Sequence, residues 1–379
     1  MFKFEEYRLR YFNFRLVLYI ALLTGAGVIF IRSATMNSAD DAVSKQIMGL
    51  GLGAVCMFAV ALVDYHFWLK IWPVIYAVCI GMLLAVLVLE NPGYSSGEAR
   101  RWLSVGGFSL QPSEFSKIGL VLTLAAYFHR FRERISSLPV VAGGLILYGG
   151  IGFLIFKEPD LSTTLVTVFI FLVMIYVAGI SYKWVFGVIG ACIPVVGVLI
   201  YIIQQPDQTF IKGWQLGRIT DWLYPEQASL DTTRQVRYSV QAIASGQLYG
   251  KGLFNTTLES VKNGNFLSQE DCDFIFAVVG EETGFWGSVI VIGLLALVVL
   301  ECIWLAIRAK DLAGRLICVG IAGLLAFQSF VNIGVATRLL PNTGLPLPFI
   351  SAGLSSLLSL MIGMGLVLNV GLQRRREKS

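Results

Sequence analysis

Residues 161–180 read LSTTLVTVFIFLVMIYVAGI, a run without a single charged side chain. A helix needs about 20 predominantly apolar residues to cross the hydrocarbon core of a bilayer, so this stretch is long enough to span one. Outward from it, residues 16–31 and 288–300 are equally free of charge, and short polar segments separate such runs along the whole chain. The chain of 379 residues is 56% hydrophobic and 14% charged, with a mean hydropathy of +0.73. That is too apolar to be hidden in a water-soluble core, so lipid is the solvent this composition requires. Residues 1–15 mix charges with aromatics and no small-residue cleavage pattern follows the first apolar run, which predicts a retained helix and not a removed signal peptide.

Apolar runs set against polar breaks predict an all-α polytopic membrane protein. About ten transmembrane helices are expected, centred near residues 24, 54, 79, 122, 147, 171, 193, 291, 324 and 361. Lys3, Arg8, Arg10 and Arg15 precede the first helix, and Arg374, Arg375, Arg376 and Lys378 follow the last. Arg130, Arg132 and Arg134 fall after the fourth, and Arg308, Lys310 and Arg315 after the eighth. By the positive-inside rule all four clusters are expected in the cytoplasm, with both termini. Two outer segments exceed simple connectors: residues 91–116, and a large extracellular loop over 204–272 between helices 7 and 8. The larger carries seven acids and six bases, so individual residues matter there more than net field. Within it Val236, Val240 and Ile243 recur at helical spacing, which predicts a helix along the membrane surface. Neither an internal repeat nor a low-complexity tract is visible, so 1–379 reads as one membrane domain. Cys56, Cys79, Cys192, Cys302 and Cys318 lie in apolar runs and only Cys272 borders a polar loop, so no disulfide framework or zinc site is legible. His66 and His129 fall at expected cytoplasmic span ends, which leaves outer-face chemistry to carboxylates, amides, hydroxyls and cations.

The first outer loop contains Gly97-Glu98-Ala99-Arg100-Arg101-Trp102-Leu103, then Gln111-Pro112-Ser113-Glu114-Phe115-Ser116-Lys117. Further along come Glu158-Pro159-Asp160-Leu161-Ser162-Thr163, then Ser239, Ser245-Gly246 and Gly250-Lys251-Gly252, then Asp273-Phe274-Ile275-Phe276 and Gly280-Glu281-Glu282. The last outer loop has Leu340-Pro341, Thr343-Gly344-Leu345-Pro346-Leu347-Pro348-Phe349, Ser351 and Ser355-Ser356. These motifs, in this order over essentially the whole chain, resemble the SEDS family of cell-wall polymerases (shape, elongation, division, sporulation), most closely its RodA branch. The chain departs from the family pattern at Ser268-Gln269-Glu270-Asp271-Cys272, at Ala244 and Gln247, and at Ala352 and Leu354.

The resemblance implies a peptidoglycan glycosyltransferase that polymerises lipid II at the outer face of the bacterial plasma membrane. The 4-hydroxyl of one lipid-linked disaccharide attacks the anomeric carbon of another and displaces undecaprenyl pyrophosphate with inversion. That acceptor needs a base, and Asp273 matches the family's catalytic aspartate; read alone, it is more readily a helix N-cap, and the motif context reverses that order. The leaving pyrophosphate needs cations, for which Arg101, Lys117 and Lys251 match family positions. A snorkelling Lys117, a solvated Lys251 and an i, i+3 ion pair of Glu114 with Lys117 are the plainer alternatives. Glu114, Trp102 and Ser351 are the remaining substrate-binding candidates, Trp102 being also explicable as an interfacial belt residue. A divalent cation, Mg or Mn, bridging pyrophosphate and carboxylate is the cofactor such chemistry would take, although no ligand cluster marks a metal site. The expected partner is a class B penicillin-binding protein together with other elongation proteins, and the expected role is cell elongation and shape. Lipid II translocation, a division or sporulation duty, and a non-catalytic scaffold are the alternatives; outer-side placement of the carboxylates and lysines favours the polymerase.

Overall fold

The computed structural model describes residues 11–36, 42–88, 101–105, 108–158, 160–187, 190, 194, 217, 222–223, 230–255 and 272–373. Helices α1 (Phe14–Ala34), α2 (Ala42–Leu62), the short α3 (Tyr65–Lys70) and α4 (Trp72–Val88) lead into an antiparallel hairpin of β1 (Leu103–Val105) and β2 (Phe108–Leu110), in which Leu103 faces Leu110. Then come α5 (Pro112–Arg130), α6 (Leu138–Lys157), α7 (Leu161–Ala178), α8 (Leu230–Ser245), α9 (Ile275–Ile307), α10 (Leu312–Ala336) and α11 (Leu354–Leu372). Seven of these helices, α1, α2, α6, α7, α9, α10 and α11, are long and apolar enough to cross a membrane. The protein is a mostly helical, multi-pass membrane protein. At 17 residues α4 is shorter, and α5 carries Glu114, Lys117, His129 and Arg130 within an otherwise apolar sequence. Helices occupy nine of the ten expected centres; the one near 193 lies outside the described residues, as does most of 204–272. The hairpin corrects a purely α reading. Its signal was the Gly106-Gly107 pair between two alternating triplets.

Local chemistry sets the helix ends. Asn13 accepts from the Leu16 N–H at 3.1 Å as the α1 cap, Asp160 caps α7 through the Thr163 N–H at 3.0 Å, and Asp311 caps α10 through the Gly314 N–H at 2.8 Å. Pro112 opens α5, where its missing N–H costs nothing, and Gly179 ends α7 at φ 101°. Around a largely buried centre of α5, α10 and α11, the outer helices turn Phe14, Val55, Ile146 and Ile307 outward, as lipid-facing surfaces require. Small residues let α2 and α11 approach: a Cβ on Gly53 would meet Met361, and one on Gly365 would meet the Met57 carbonyl.

The helix expected around Val236 to Ile243 exists as α8, but it is seated on α9 and α10. Ser239 is fully buried and donates to the Ala336 carbonyl at 2.8 Å, Ala242 is buried beside it, and Val240 faces outward. After α8 the chain re-enters against a break in α9, where Gly284 has φ 65° and ψ −157°. The N–H groups of Lys251 and Gly252 donate to the Glu281 and Glu282 carbonyls at 2.9 and 3.0 Å. On the other side of the break, Phe285 and Trp286 donate to the Gln247 and Leu248 carbonyls at 2.8 and 3.3 Å. The loop thus restores the bonds that the break removes. Glycine is required for this fit, since a Cβ on Gly246 would strike the Gly280 carbonyl and one on Gly250 the Glu282 carbonyl. Gly250 also sits at φ 78°.

A polar clamp closes the side read as cytoplasmic. His66 bridges two carboxylates, Nδ1 to Asp64 Oδ1 at 2.8 Å and Nε2 to Asp311 Oδ2 at 3.0 Å, and the Tyr65 hydroxyl donates to Asp311 Oδ1 at 3.1 Å. From α11, Asn369 accepts the Tyr65 N–H at 2.8 Å, and the adjoining Gln373 donates to Asp64 at 3.2 Å. The hydrogen bond to Asp311, followed by that to Asp64, raises the His66 pKa against the opposing effect of burial. Burial disfavours ionised Asp311, but bonds from His66 and Gly314 hold its pKa at about 2.

Two outcomes follow from these arrangements. Because the folded pKa of His66 lies above its unfolded value, its stabilisation is complete below the unfolded pKa and is lost as pH rises through the folded one. Thermal melting of the detergent-solubilised protein will show a fall in stability through that window, absent in His66→Gln; screening at the partly exposed ring holds the effect to about 1 kcal/mol. Gly250→Ala will destabilise by more than about 1 kcal/mol, because both the dihedral and the Glu282 contact exclude a methyl group; an unchanged melting temperature would contradict the tight seating of the loop.

Candidate active site

Asp273 lies in the turn that opens α9, and Phe274, not Asp273, holds the N-cap position. Gly344, at φ 72°, lets the last outer loop pass close by: a Cβ there would stand 3.2 Å from Asp273 Oδ2. Asn332 on α10 fixes both partners, its Nδ2 donating to the Asp273 carbonyl at 2.9 Å and to the Leu345 carbonyl at 2.6 Å. Ser351 adds a second stitch. Its hydroxyl donates to the Cys272 carbonyl at 2.6 Å and accepts the Leu347 N–H at 2.7 Å. The Pro-rich loop cannot form a helix, and non-helical backbone is tolerated at membrane depth only where protein or a cavity receives it. Here α10 supplies the receiving groups.

One turn before Asn332, and on the same face of α10, lies Gln328. Its Nε2 donates to the Pro346 carbonyl at 2.9 Å while its Oε1 accepts from Lys117 Nζ at 3.1 Å. Lys117 also donates to Glu114 Oε1 at 2.8 Å, and Ser359 reaches Glu114 Oε2 at 3.5 Å. Lys117, Glu114 and Gln328 are all buried. A buried ion pair holds only when further hydrogen bonds satisfy the remaining groups, and stranding one member costs about 3–5 kcal/mol. The pair is therefore an i, i+3 ion pair and also the floor of a chain that runs from Glu114 through Lys117, Gln328 and the loop to Asn332 and Asp273. Gln328 carries no motif; an amide inside an apolar run was its only signal in the sequence.

Of the expected site residues, Asp273, Glu114, Lys117 and Ser351 are thus joined through α10 and the last loop. Lys251 is placed differently: its ammonium pairs with Glu281 Oε1 at 2.9 Å beside the α9 break. Glu281 lies six residues into α9, roughly 9 Å along the axis from Ile275. Glu282 accepts from Ser33 of α1. Arg101 and Trp102, half-buried, lead into β1, and β2 is tied to α11 where Ser355 donates to the Ser109 carbonyl at 3.3 Å.

Arg101 acts electrostatically on Glu158, which follows α6 in a part of the sequence that motif reading left without a role. Glu158 is 1% exposed. Its pKa is raised to about 8, mainly by burial and further by the neighbouring Asp160, with Arg101 opposing. The same connection reaches the last loop, since the Ser162 hydroxyl donates to the Thr343 carbonyl, one residue before Gly344.

The chain resembles known proteins over nearly its whole length. The chain is 33% identical over 367 residues to stage V sporulation protein E of Bacillus subtilis, covering 94% of this chain and 95% of that protein. It is 32% identical over 331 residues to the peptidoglycan glycosyltransferase MrdB of Escherichia coli K12, covering 87% and 86%. A solved structure described as the structural coordination of polymerization and crosslinking by a peptidoglycan synthase complex contains a similar chain, with a TM-score of 0.79, 28% identity and coverage of 95% and 97%. The sequence profile of the FtsW/RodA/SpoVE family of cell cycle proteins matches residues 14–376, and the chain belongs to that family.

Proposed function

We propose that the chain is a peptidoglycan glycosyltransferase that polymerises lipid II at the outer face of the bacterial plasma membrane, with Asp273 as the general base. The observation that carries this reading is the hydrogen-bonded chain that holds the Asp273 turn, the Pro-rich loop and the buried Lys117–Glu114 pair in one body. Its relatives in the family include a protein named peptidoglycan glycosyltransferase MrdB. In the reaction, the carboxylate of Asp273 takes the proton of the acceptor 4-hydroxyl as that oxygen bonds to the anomeric carbon of the donor. The anomeric bond to pyrophosphate breaks, and the leaving undecaprenyl pyrophosphate departs with the electron pair. Arg101, Lys117 and Lys251 are the cations assigned to the developing charge, with Trp102 and Ser351 shaping the sugar site.

Among the described residues no group of three or more His, Cys, Asp or Glu side chains converges on one point. A Mg or Mn ion would be held by a single protein carboxylate such as Asp273, with pyrophosphate oxygens and water. That is a common way for Mg to bind, so the donor set fits an ion carried in by the substrate.

The whole chain, 1–379, is assigned to one membrane domain with 204–272 outside and both termini in the cytoplasm, in accord with its basic clusters. A class B penicillin-binding protein is the assigned partner, in line with the synthase complex that the fold resembles. Elongation is the assigned role, from the resemblance of the opening run NFRLVLYIALL, residues 13–23, to the RodA branch; a sporulation duty is the competing one, given the stage V relative. Lipid translocation is a second reading, favoured by the break of α9 at Gly284, a device that transporters share.

Labelled lipid II incubated with the purified protein and its cognate partner will yield glycan strands, and Asp273→Asn will cut the rate by about 10²–10⁴-fold in a protein that still folds and binds the partner. Equal activity of both would remove Asp273 from the mechanism. No polymer from an intact native complex would move the assignment to lipid translocation.

A further inference from the structure

Glu158 is buried to 1% exposure, and neither of its carboxyl oxygens has a hydrogen-bond partner among the described residues. Buried polar atoms are almost always satisfied, so two orphaned oxygens on one side chain call for a group the protein itself does not supply. Its surroundings narrow the chemistry of that group. Asp160 is committed to α7, its two oxygens accepting from the Thr163 N–H at 3.0 Å and the Thr163 hydroxyl at 2.9 Å. On the loop that Ser162 tethers, the Thr343 hydroxyl is likewise buried and unpartnered. Arg101 is the cation that acts on Glu158. A carboxylate in this position would face its own orphaned lone pairs into a dry site, whereas a carboxylic acid would offer a donor. A donor carboxyl and a guanidinium together suit a ligand that is rich in acceptors and negatively charged.

Resting on the glycosyltransferase reading, we propose that Glu158 is a substrate-contacting residue which, as a neutral carboxyl within the field of Arg101, donates a hydrogen bond to a phosphoryl oxygen of the lipid pyrophosphate. Deprotonation would put a negative charge against that oxygen and offset the attraction of Arg101. Among the described residues, the charged groups that act on Glu158 are Asp160, which opposes its ionisation, and Arg101, which favours it. Burial adds to the first, and the pKa of about 8 leaves the side chain mostly protonated at neutral pH. As pH rises through that value the donor is lost and binding weakens.

The test is equilibrium binding of undecaprenyl pyrophosphate to the purified full chain between pH 7 and 9, above the second ionisation of a phosphate near 6. For a single group of this pKa the native affinity will fall roughly tenfold over that range. Glu158→Gln, which keeps a donor and cannot titrate, will bind with no such slope, and Glu158→Ala will bind weakly at both ends. A slope in Glu158→Gln equal to the native one, or native-like binding by Glu158→Ala at pH 7, overturns the assignment. A packing role alone would lower the melting temperature of both variants and leave the native slope in place. Binding needs no turnover, so a native chain that binds the lipid pyrophosphate with this slope but makes no glycan would sink the polymerase reading and spare this one. A native chain that polymerises yet binds the probe equally at pH 7 and 9 would do the reverse.

Discussion

Backbone N–H and C=O groups have no water to turn to inside a bilayer, and each one left open costs several kcal/mol. The break at Gly284 leaves such groups on both sides of α9, and residues 246–252 close every one that the break exposes at positions 281, 282, 285 and 286. The glycines of that loop are therefore conditions of the fold. They admit backbone against backbone where a methyl group would collide.

The same constraint organises the other face of the interior. An ion pair between Lys117 and Glu114 survives at full burial because Gln328 and Ser359 complete its coordination, and Gln328 in turn satisfies a carbonyl of the Pro-rich loop. Side-chain amides on α10 thus do for the last loop what residues 246–252 do for α9. Position of the Asp273 turn follows from both, since it is held by Asn332 on one side and Ser351 on the other.

Much of this was legible beforehand, for identifiable reasons. Span-length apolar runs and basic clusters located nine helices because hydropathy in a membrane protein is a direct consequence of its solvent. Asp273, Glu114, Lys117 and Ser351 were singled out through motifs, and the structure joins them through hydrogen bonds. What escaped was whatever depends on close approach or on partners distant in sequence. The hairpin at 103–110 has strands of only three residues, so its turn and alternation are easily passed over beside the apolar runs. The seating of α8 turns on Ser239 and Ala242, small residues that an apolar count passes over in favour of Val240, which faces out. Gln328 and Glu158 gain their meaning largely from partners distant in sequence, Lys117 for the one and Arg101 for the other, across which no spacing rule reaches.

Ser239 and Ala242 have a mechanical implication. With its hydroxyl bonded to the end of α10 and its following loop threaded into α9, α8 is fastened to the two helices that frame the Asp273 turn. Force applied to α8 is therefore transmitted through α9 and α10 to the Asp273 turn. Within the segment 204–272, α8 is a handle on the helices that hold that turn.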